Sequence, residues 1–218
     1  MKLEQIRKEV ANIVDDNSFA PEDIDNYINQ AISYSAGVVK LPALKRIGTV
    51  DFSEDAYSVS LSEMVGDALV RSISYAVLEN GNELNILNGV EELLMSYPKL
   101  DKVGIPKDIA LETQTLWYQP AGDYTATLVY YTRPAPLAKN TDIPSVFPEH
   151  LHRGLFVHGA AWMIYDQIED GIEQEKKVNT INQFFHSFSE VNRESAIVKL
   201  REWIGQNRVH HISSIWRY

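Results

Sequence analysis

The feature that most constrains the fold of this chain is a hydrophobic period that changes along its length. Apolar residues recur every three or four positions near the N-terminus, alternate with polar residues in the middle, and return to the helical period after Pro148. Helices from the two chain ends can pack together, which leaves the strands as a separate lobe. The sequence therefore predicts an α+β fold: a helical bundle from the N- and C-terminal helices, an inserted antiparallel β-hairpin lobe and an extended C-terminal tail.

Two helices are predicted within residues 1–40. Apolar side chains in residues 2–14 have helical spacing, which indicates an amphipathic first helix. A second helix is expected to begin at Pro21, which suits a first helical turn, and to stop near Gly37. Its buried stripe is expected to contain Ile24, Tyr27, Ile28, Ala31, Ile32 and Ser35.

Residues 41–147 are predicted to form the β-rich lobe. Strands are expected where apolar and polar residues alternate, at 47–52, 57–61 and 69–77. Asn80-Gly81 is a strong signal for a tight hairpin turn, with residues 84–87 as the return strand. A short helix is expected over residues 90–97, because Pro98 follows it.

A second hairpin is predicted from the Thr- and Tyr-rich segments 111–118 and 124–131, with a turn at 119–123. This hairpin is expected to project from the protein and to contact a partner. The residues assigned to its projecting end are Trp117, Tyr118, Pro120, Asp123 and Tyr124. The following residues, 135–147, are held as an extended connection by four prolines.

Residues 148–205 are predicted to form the C-terminal helices of the bundle. The first helix, 151–168, contains small residues that would let a neighbouring backbone come close, at Gly154, Gly159, Ala160 and Ala161. The break at Asp170-Gly171 is followed by apolar residues at helical spacing over 178–204, which indicate another long helix.

Composition excludes several classes of function. The formal net charge of −10 argues against a protein that grips nucleic acid, which needs a basic surface to displace counterions. The absence of cysteine excludes disulfides, thiolate metal sites and a thiol nucleophile. No stretch approaches the ~20 apolar residues of a membrane helix, so no membrane partner is expected.

No catalytic, cofactor or metal site is predicted. Two histidines, His152 and His158, lie two and eight residues after His150. These spacings do not place two metal ligands one above the other on one face of a helix. Phosphate-binding loops and hydrolase motifs are absent. The carboxylates Glu169, Asp170, Glu173 and Glu175 are assigned to a solvated turn between two helices. A cell-wall glycan hydrolase stays open as an alternative, because its two carboxylates are paired in space rather than in sequence.

The last segment, residues 206–218, is predicted to be an extended docking tail. It contains no acidic residue and mixes cations with apolar and aromatic side chains, the types that anchor interfaces. The residues assigned to docking are Arg208, Val209, Ile212, Ile215, Trp216, Arg217 and Tyr218. His210 and His211 in the same segment are assigned to a surface or interface rather than to a metal.

Several local segments occur in a recognisable order. They are Asp15-Asp16 at the end of the first helix, Phe19–Asn29 in the second, Ile105-Pro106 before the second hairpin, Tyr130–Pro134 at its exit, and Pro148–Leu151 leading into Leu155–Ala161. This order resembles the head-to-tail adaptor, or head-completion, proteins of tailed phages, and in particular the tail-accessory type of short-tailed phages. The resemblance spans most of residues 1–205 and is weakest over 41–100.

The resemblance implies a structural virion protein rather than an enzyme. Proteins of this family form a ring, commonly of twelve copies, that lies beneath the portal and extends the DNA channel. The implied partners are further copies of the chain, the portal protein, a tail or nozzle protein, and DNA that passes through the lumen without specific binding. The implied location is the neck or tail of the virion, after assembly in the host cytoplasm, with residues 206–218 docked on the portal. Another neck or tail protein of the same virion is the alternative within this class.

Overall fold

A computed structural model describes residues 1–15, 19–66, 68–167 and 196–213, the last eight of these by their backbone alone. It contains helices and two small sheets, so the predicted α+β class is confirmed. The chain divides into two compact units. The first consists of Met1–Ala43 with Pro134–Tyr218, and the second of Leu44–Arg133.

The described elements follow the predicted change of period. The helices are α1 (Leu3–Val14), α2 (Pro21–Val38), α3 (Ser62–Val65), α4 (Val90–Ser96), α5 (His158–Gln167) and α6 (Ala196–Ser213). The strands are β1 (Lys45–Phe52), β2 (Ser58–Ser60), β3 (Val70–Leu78), β4 (Asn85–Leu87), β5 (Asp108–Glu112), β6 (Thr115–Gln119) and β7 (Tyr124–Thr132). Short 3₁₀ turns lie at Pro42–Leu44 and Glu149–Leu151, and a π-helical segment at Arg153–Val157 precedes α5.

Helices α1 and α2 form where the spacing predicts them. Their buried residues are Leu3, Ile6, Val10 and Val14 in α1, and Ile24, Ile28, Ala31, Ile32, Ser35 and Ala36 in α2. At each N-terminus a side chain three residues into the helix accepts the capping N–H. Gln5 accepts from the backbone of Lys2 at 2.9 Å, and Asp23 accepts from Ala20 at 3.3 Å.

Helices α1, α2 and α5 pack against one another in the first unit. Arg7 of α1 donates two hydrogen bonds to the carboxylate of Asp25 in α2, at 2.7 and 2.6 Å. This charge-assisted fork raises the pKa of Arg7 and ties the two helices together. The hydroxyl of Tyr165 in α5 donates to the carbonyl of Ile13 near the end of α1, at 2.8 Å. These hydrogen bonds fix the positions of α2 and α5 relative to α1, in addition to the apolar packing between the helices.

The proline-rich connection is fastened to the first two helices. The N–H groups of Leu3 and Glu4, which lack helical partners, donate to the carbonyls of Asp142 and Asn140 at 2.9 and 3.2 Å. The Asn29 side chain accepts from and donates to the backbone of Leu137, at 2.8 and 3.0 Å. The connection is therefore an ordered part of the first unit.

Gly154, one of the small residues predicted to allow close packing, lies against a neighbouring segment. A Cβ atom placed there would lie 2.7 Å from the Cβ of Ala196, at the start of α6. Residues 168–195, which include most of the predicted helix over 178–204, lie outside the described residues. α6 continues to Ser213, so residues 206–213 are helical rather than extended. No proline follows Pro148 to interrupt the helical hydrogen bonds there.

The second unit contains two sheets packed face to face. Sheet A has the order β1-β7-β3, and all its pairs are antiparallel. Sheet B has the order β2-β6-β5-β4, with β4 and β5 parallel. Their inner faces form one apolar core, which includes Val50, Phe52, Ile73, Ala76, Ile109, Leu116, Tyr118, Ala126, Leu128 and Tyr130. Helix α4 covers the other face of sheet B through Val90 and Leu93.

The predicted hairpin between 111–118 and 124–131 is wrong in its pairing. Residues 108–119 form a hairpin of their own, β5 and β6, because the chain turns at Thr113, which has a φ of 57°. Gln114 holds this turn, since its side-chain amide bonds both the N–H and the carbonyl of Val70, at 2.8 and 3.0 Å. β6 and β7 then enter different sheets.

The predicted strand over 69–77 exists as β3, but its buried face differs from simple alternation. The register shifts between Val70 and Ser72 and again between Ile73 and Tyr75, which turns side chains over to the other face. The Asn80-Gly81 turn that follows is confirmed, with Gly81 at a φ of +87°. The return strand β4 instead pairs with β5 in sheet B.

Candidate functional site

The segment assigned to docking continues from helix α6. The backbone of Arg208, Val209 and Ile212 is helical, and their side chains lie outside the described residues. Ile215, Trp216, Arg217 and Tyr218 also lie outside the described residues. The buried residues described in α6 are Ala196, Ile197, Leu200 and Ile204, which all precede this segment. The described anchorage of α6 therefore lies in its first half.

The five residues assigned to a projecting hairpin differ in their exposure, and Tyr118 is buried. Tyr118 is 1% exposed, and its ring stacks on Phe52 with the ring centroids 4.2 Å apart. Its hydroxyl donates to the carbonyl of Ser53 at 3.0 Å and accepts from the N–H of Ser53 at 2.9 Å. Burial raises the pKa of Tyr118. This residue is part of the core between the two sheets.

The other four residues of that assignment lie around it. Trp117 is half-buried on the opposite face of sheet B, stacked on Tyr57 at 5.7 Å. Pro120 follows a cis peptide bond in the crossover from β6 to β7, and Asp123 accepts a hydrogen bond from the backbone of Glu54 at 2.9 Å. Tyr124 begins β7 and packs against the core. The contacts described for these residues are all with other residues of the second unit.

The histidines near Pro148 occupy different environments. His152 is 1% exposed, with Nε2 3.1 Å from the carbonyl of Phe147 and Nδ1 2.9 Å from the amino group of Met1. His158 is half-buried, and His150 is exposed. Burial lowers the pKa of both His152 and His158. A neutral His152 that donates from Nε2 and accepts at Nδ1 satisfies both neighbours.

We expect His152 to make the protein less stable in acid. Its folded pKa lies below the unfolded value near 6.5, so the unfolded chain binds more protons. The stability that neutral His152 contributes is therefore fully present above about pH 6.5. It is lost as the pH falls through that value towards the folded pKa. Urea unfolding of the wild type between pH 7.5 and 5 should show this loss, and His152→Gln should reduce it.

Exposed His150 gives the matched control for that experiment. His150→Gln should leave the pH profile of the wild type unchanged, while the buried His158 leaves a residual slope in His152→Gln. Equal profiles for wild type and His152→Gln would contradict the assignment of the acid sensitivity to His152.

The glycan-hydrolase alternative requires two carboxylates that face each other across a cleft. Two of the hollows formed by the described residues lie in the first unit, with volumes of about 250 and 200 Å³. The larger is lined by the proline-rich connection and Ile32, and its one carboxylate, Asp142, accepts hydrogen bonds from the N–H groups of Ala138 and Lys139 at 2.9 and 2.8 Å. These bonds lower the pKa of Asp142. The carboxylates at residues 169, 170, 173 and 175 lie outside the described residues.

Across 1–15, 19–66, 68–167 and 196–213, no three His, Asp or Glu side chains are grouped so that they could hold a metal ion. Among the helices of this described part, none combines the length and the apolar character that a membrane span requires.

The sequence did not predict two exposed apolar faces of the second unit. On the outer face of sheet A, Ile47 and Tyr75 are 70% and 41% exposed. On the outer side of α4, Met95 is 82% exposed and Leu94 is 38% exposed. The sequence predicts a strand over residues 47–52 and a short helix over residues 90–97. Neither pattern says which apolar residues lack a neighbouring layer.

The comparison with known proteins agrees with the order of elements. A family model described as SU10 adaptor protein matches residues 1–209, which is nearly the whole chain and includes both units. No curated protein matches the sequence. The resemblance inferred from the sequence is thereby confirmed at the level of the family. The chain belongs to the SU10 adaptor protein family, whose members are phage adaptors and structural components of the virion.

Proposed function

We propose that this chain is a subunit of a ring, of twelve copies, that joins the portal to the tail in the neck of the virion. The ring extends the DNA channel, is assembled in the host cytoplasm, and binds a tail or nozzle protein on the side away from the portal. The observation that supports this proposal most directly is the family match over residues 1–209. A ring requires heterologous contacts between copies, in which two different surfaces of the subunit meet.

The charge of the chain suits a channel through which DNA moves. With a formal net charge of −10, the protein lacks the excess of cations that holds phosphates. DNA would pass an acidic wall without being bound to it, which is what ejection requires. The role is structural and needs no catalytic group.

The C-terminal segment is the proposed portal contact. It combines Trp216 and Tyr218 with Arg208 and Arg217, and aromatic and arginine side chains dominate the energetics of many interfaces. The buried residues described in α6, of which Ile204 is the last, all precede this segment.

We expect deletion of residues 207–218 to abolish binding to the portal while the fold persists. A segment that serves docking contributes little to the core of its own subunit, so the free energy of unfolding should change by no more than about 1 kcal/mol. Circular dichroism with urea unfolding measures the fold. A pull-down with purified portal measures the docking, and native mass spectrometry of the mixture counts the copies.

A double substitution distinguishes the loss of two aromatic side chains from the removal of the whole segment. Trp216→Ala with Tyr218→Ala keeps the length of the segment and should weaken portal binding by at least about tenfold. Portal binding by the truncated chain would contradict docking through this segment. Unfolding of the truncated chain would show that the segment belongs to the core of the subunit.

A further inference from the structure

The second unit is layered, and its two outermost layers differ. Sheet A and sheet B share the core between them, and α4 lies on the far side of sheet B. Within this unit, the outer face of sheet A and the outer side of α4 therefore point in opposite directions. Each of them exposes large apolar side chains.

The apolar row on sheet A crosses all three strands. Val129 of the central strand β7 pairs with Ile47 of β1 on one side and with Tyr75 of β3 on the other. Residues paired across strands point to the same face, so these three side chains form one continuous row. Lys45, two residues before Ile47, lies on the same face at one end of the row and is exposed.

This row also lies beside a strand edge. β1 has eight residues, and the only named strand that pairs with it among the described residues is β7. Its other edge therefore presents backbone N–H and carbonyl groups next to the exposed Ile47. An exposed apolar row beside an edge strand is a surface that favours association.

The outer side of α4 has the complementary charge. Glu91 and Met95 are four residues apart, which places them on one side of the helix, one turn from each other. Glu91, Glu92, Leu94 and Met95 are all exposed, while Val90 and Leu93 face the sheet. An acidic residue thus lies beside an apolar side chain on α4, as a cation lies beside an apolar side chain on sheet A.

We propose that copies of this chain contact each other through these two faces, with the Ile47–Val129–Tyr75 row of one copy against the Met95 side of α4 in the next. Lys45 of the first copy then lies against Glu91 of the second. The inference rests on the proposed ring, since two different surfaces on opposite sides of one unit provide the heterologous contact that a closed ring requires.

The net charge of the chain favours this pairing over contact between other surfaces. Two copies, each with a net charge of −10, repel one another, so they can associate only where carboxylates are few or are matched by cations. The three side chains of the row include no carboxylate and Lys45 lies beside the β1 end, while Glu83 accepts a hydrogen bond from Tyr75 at the β3 end at 2.9 Å. The acidic α4 of the next copy is an electrostatic partner for the Lys45 end of this face.

Two single substitutions test the apolar part of the contact. Ile47→Asp and Met95→Asp alter side chains that are 70% and 82% exposed, so both variants should keep the wild-type circular dichroism spectrum and melting temperature. Each should raise the concentration needed for half-assembly by at least about tenfold. Ile143→Asp in the first unit, at 48% exposure, is the matched control and should assemble as the wild type does. Native mass spectrometry of the full chain, alone and with portal, gives the mass distribution.

A charge exchange tests the heterologous geometry. Lys45→Glu places two acids at every contact between identical copies, and Glu91→Lys places two cations there, so each variant alone should assemble less than the wild type. An equal mixture can alternate around a ring so that every contact again joins a cation and an acid. The mixture should therefore recover wild-type assembly. In a contact between two identical faces, Lys45→Glu would only replace a pair of like cations by a pair of like acids, so that variant alone would not assemble less than the wild type.

The outcomes separate this contact from the proposed function. Wild-type assembly by Ile47→Asp or Met95→Asp, or no recovery in the mixture, would overturn the contact and leave the ring on the portal intact. Variants that bind the portal as separate copies support the contact, since portal docking then survives without the ring. A wild-type chain that stays monomeric alone and with portal would overturn both.

Discussion

Replacing Tyr118 with alanine is expected to lower the free energy of unfolding by about 3–5 kcal/mol. The side chain is 1% exposed in the core between the two sheets, where its ring stacks on Phe52. The substitution leaves a cavity and also removes both hydrogen bonds between the hydroxyl and the backbone of Ser53. Since small proteins are stable by about 5–15 kcal/mol, this single change removes much of the total.

Urea unfolding followed by tryptophan fluorescence measures the effect. Tyr118→Phe keeps the ring and should cost only about 1–2 kcal/mol, which keeps the test usable if the alanine variant does not fold. Tyr57→Ala is the matched control, because Tyr57 also stacks on an aromatic ring but is 47% exposed, and it should cost about 1 kcal/mol or less. Equal losses for Tyr118→Ala and Tyr57→Ala would contradict the buried position of Tyr118.

Gly154→Ala is expected to destabilise the first unit by about 1–3 kcal/mol. The added methyl group would lie 2.7 Å from the Cβ of Ala196, and neither atom belongs to a side chain that can rotate away. Gly37→Ala, in α2, should have the opposite sign and stabilise the protein by about 0.5–1 kcal/mol, because its added Cβ meets no atom within 4 Å. Thermal and urea unfolding of the two variants measure both changes.

A second substitution identifies the atom responsible for the loss. Ala196→Gly removes the methyl group that Gly154→Ala would meet, so the double variant should be more stable than the sum of the two single effects predicts. Additive losses would show that Gly154 is required for its backbone conformation rather than for its contact with α6. That result would remove the evidence that the start of α6 packs on the segment before α5.

Elements with a strong local signal could be predicted well. The apolar spacing of α1, the proline at the start of α2, the Asn80-Gly81 turn and the helix before Pro98 each act over a few neighbouring residues. The order of such segments was also sufficient to indicate the adaptor family, which the match over residues 1–209 shows. These local patterns predict their elements correctly because they do not depend on which distant strand or helix becomes a neighbour.

The hairpin of residues 111–131 shows where prediction from local pattern stopped. Thr113-Gln114 contains no glycine or proline, so the alternating residues around it resembled one long strand. The turn is held by the bond of Gln114 to Val70, a residue 44 positions away. A side chain expected to project, Tyr118, is consequently in the core, and Ile47, expected only to alternate, is exposed.

By itself the sequence determined which segments become helices and strands, because side-chain periodicity and turn residues act between neighbours in the chain. It also determined a net charge that suits a channel wall rather than a nucleic-acid binder. Only the tertiary structure decided that β6 and β7 join different sheets, and which face of each sheet is covered. Strand pairing joins residues such as Ile47 and Val129 that are far apart in sequence, and the free energy of covering one face depends on the whole set of layers.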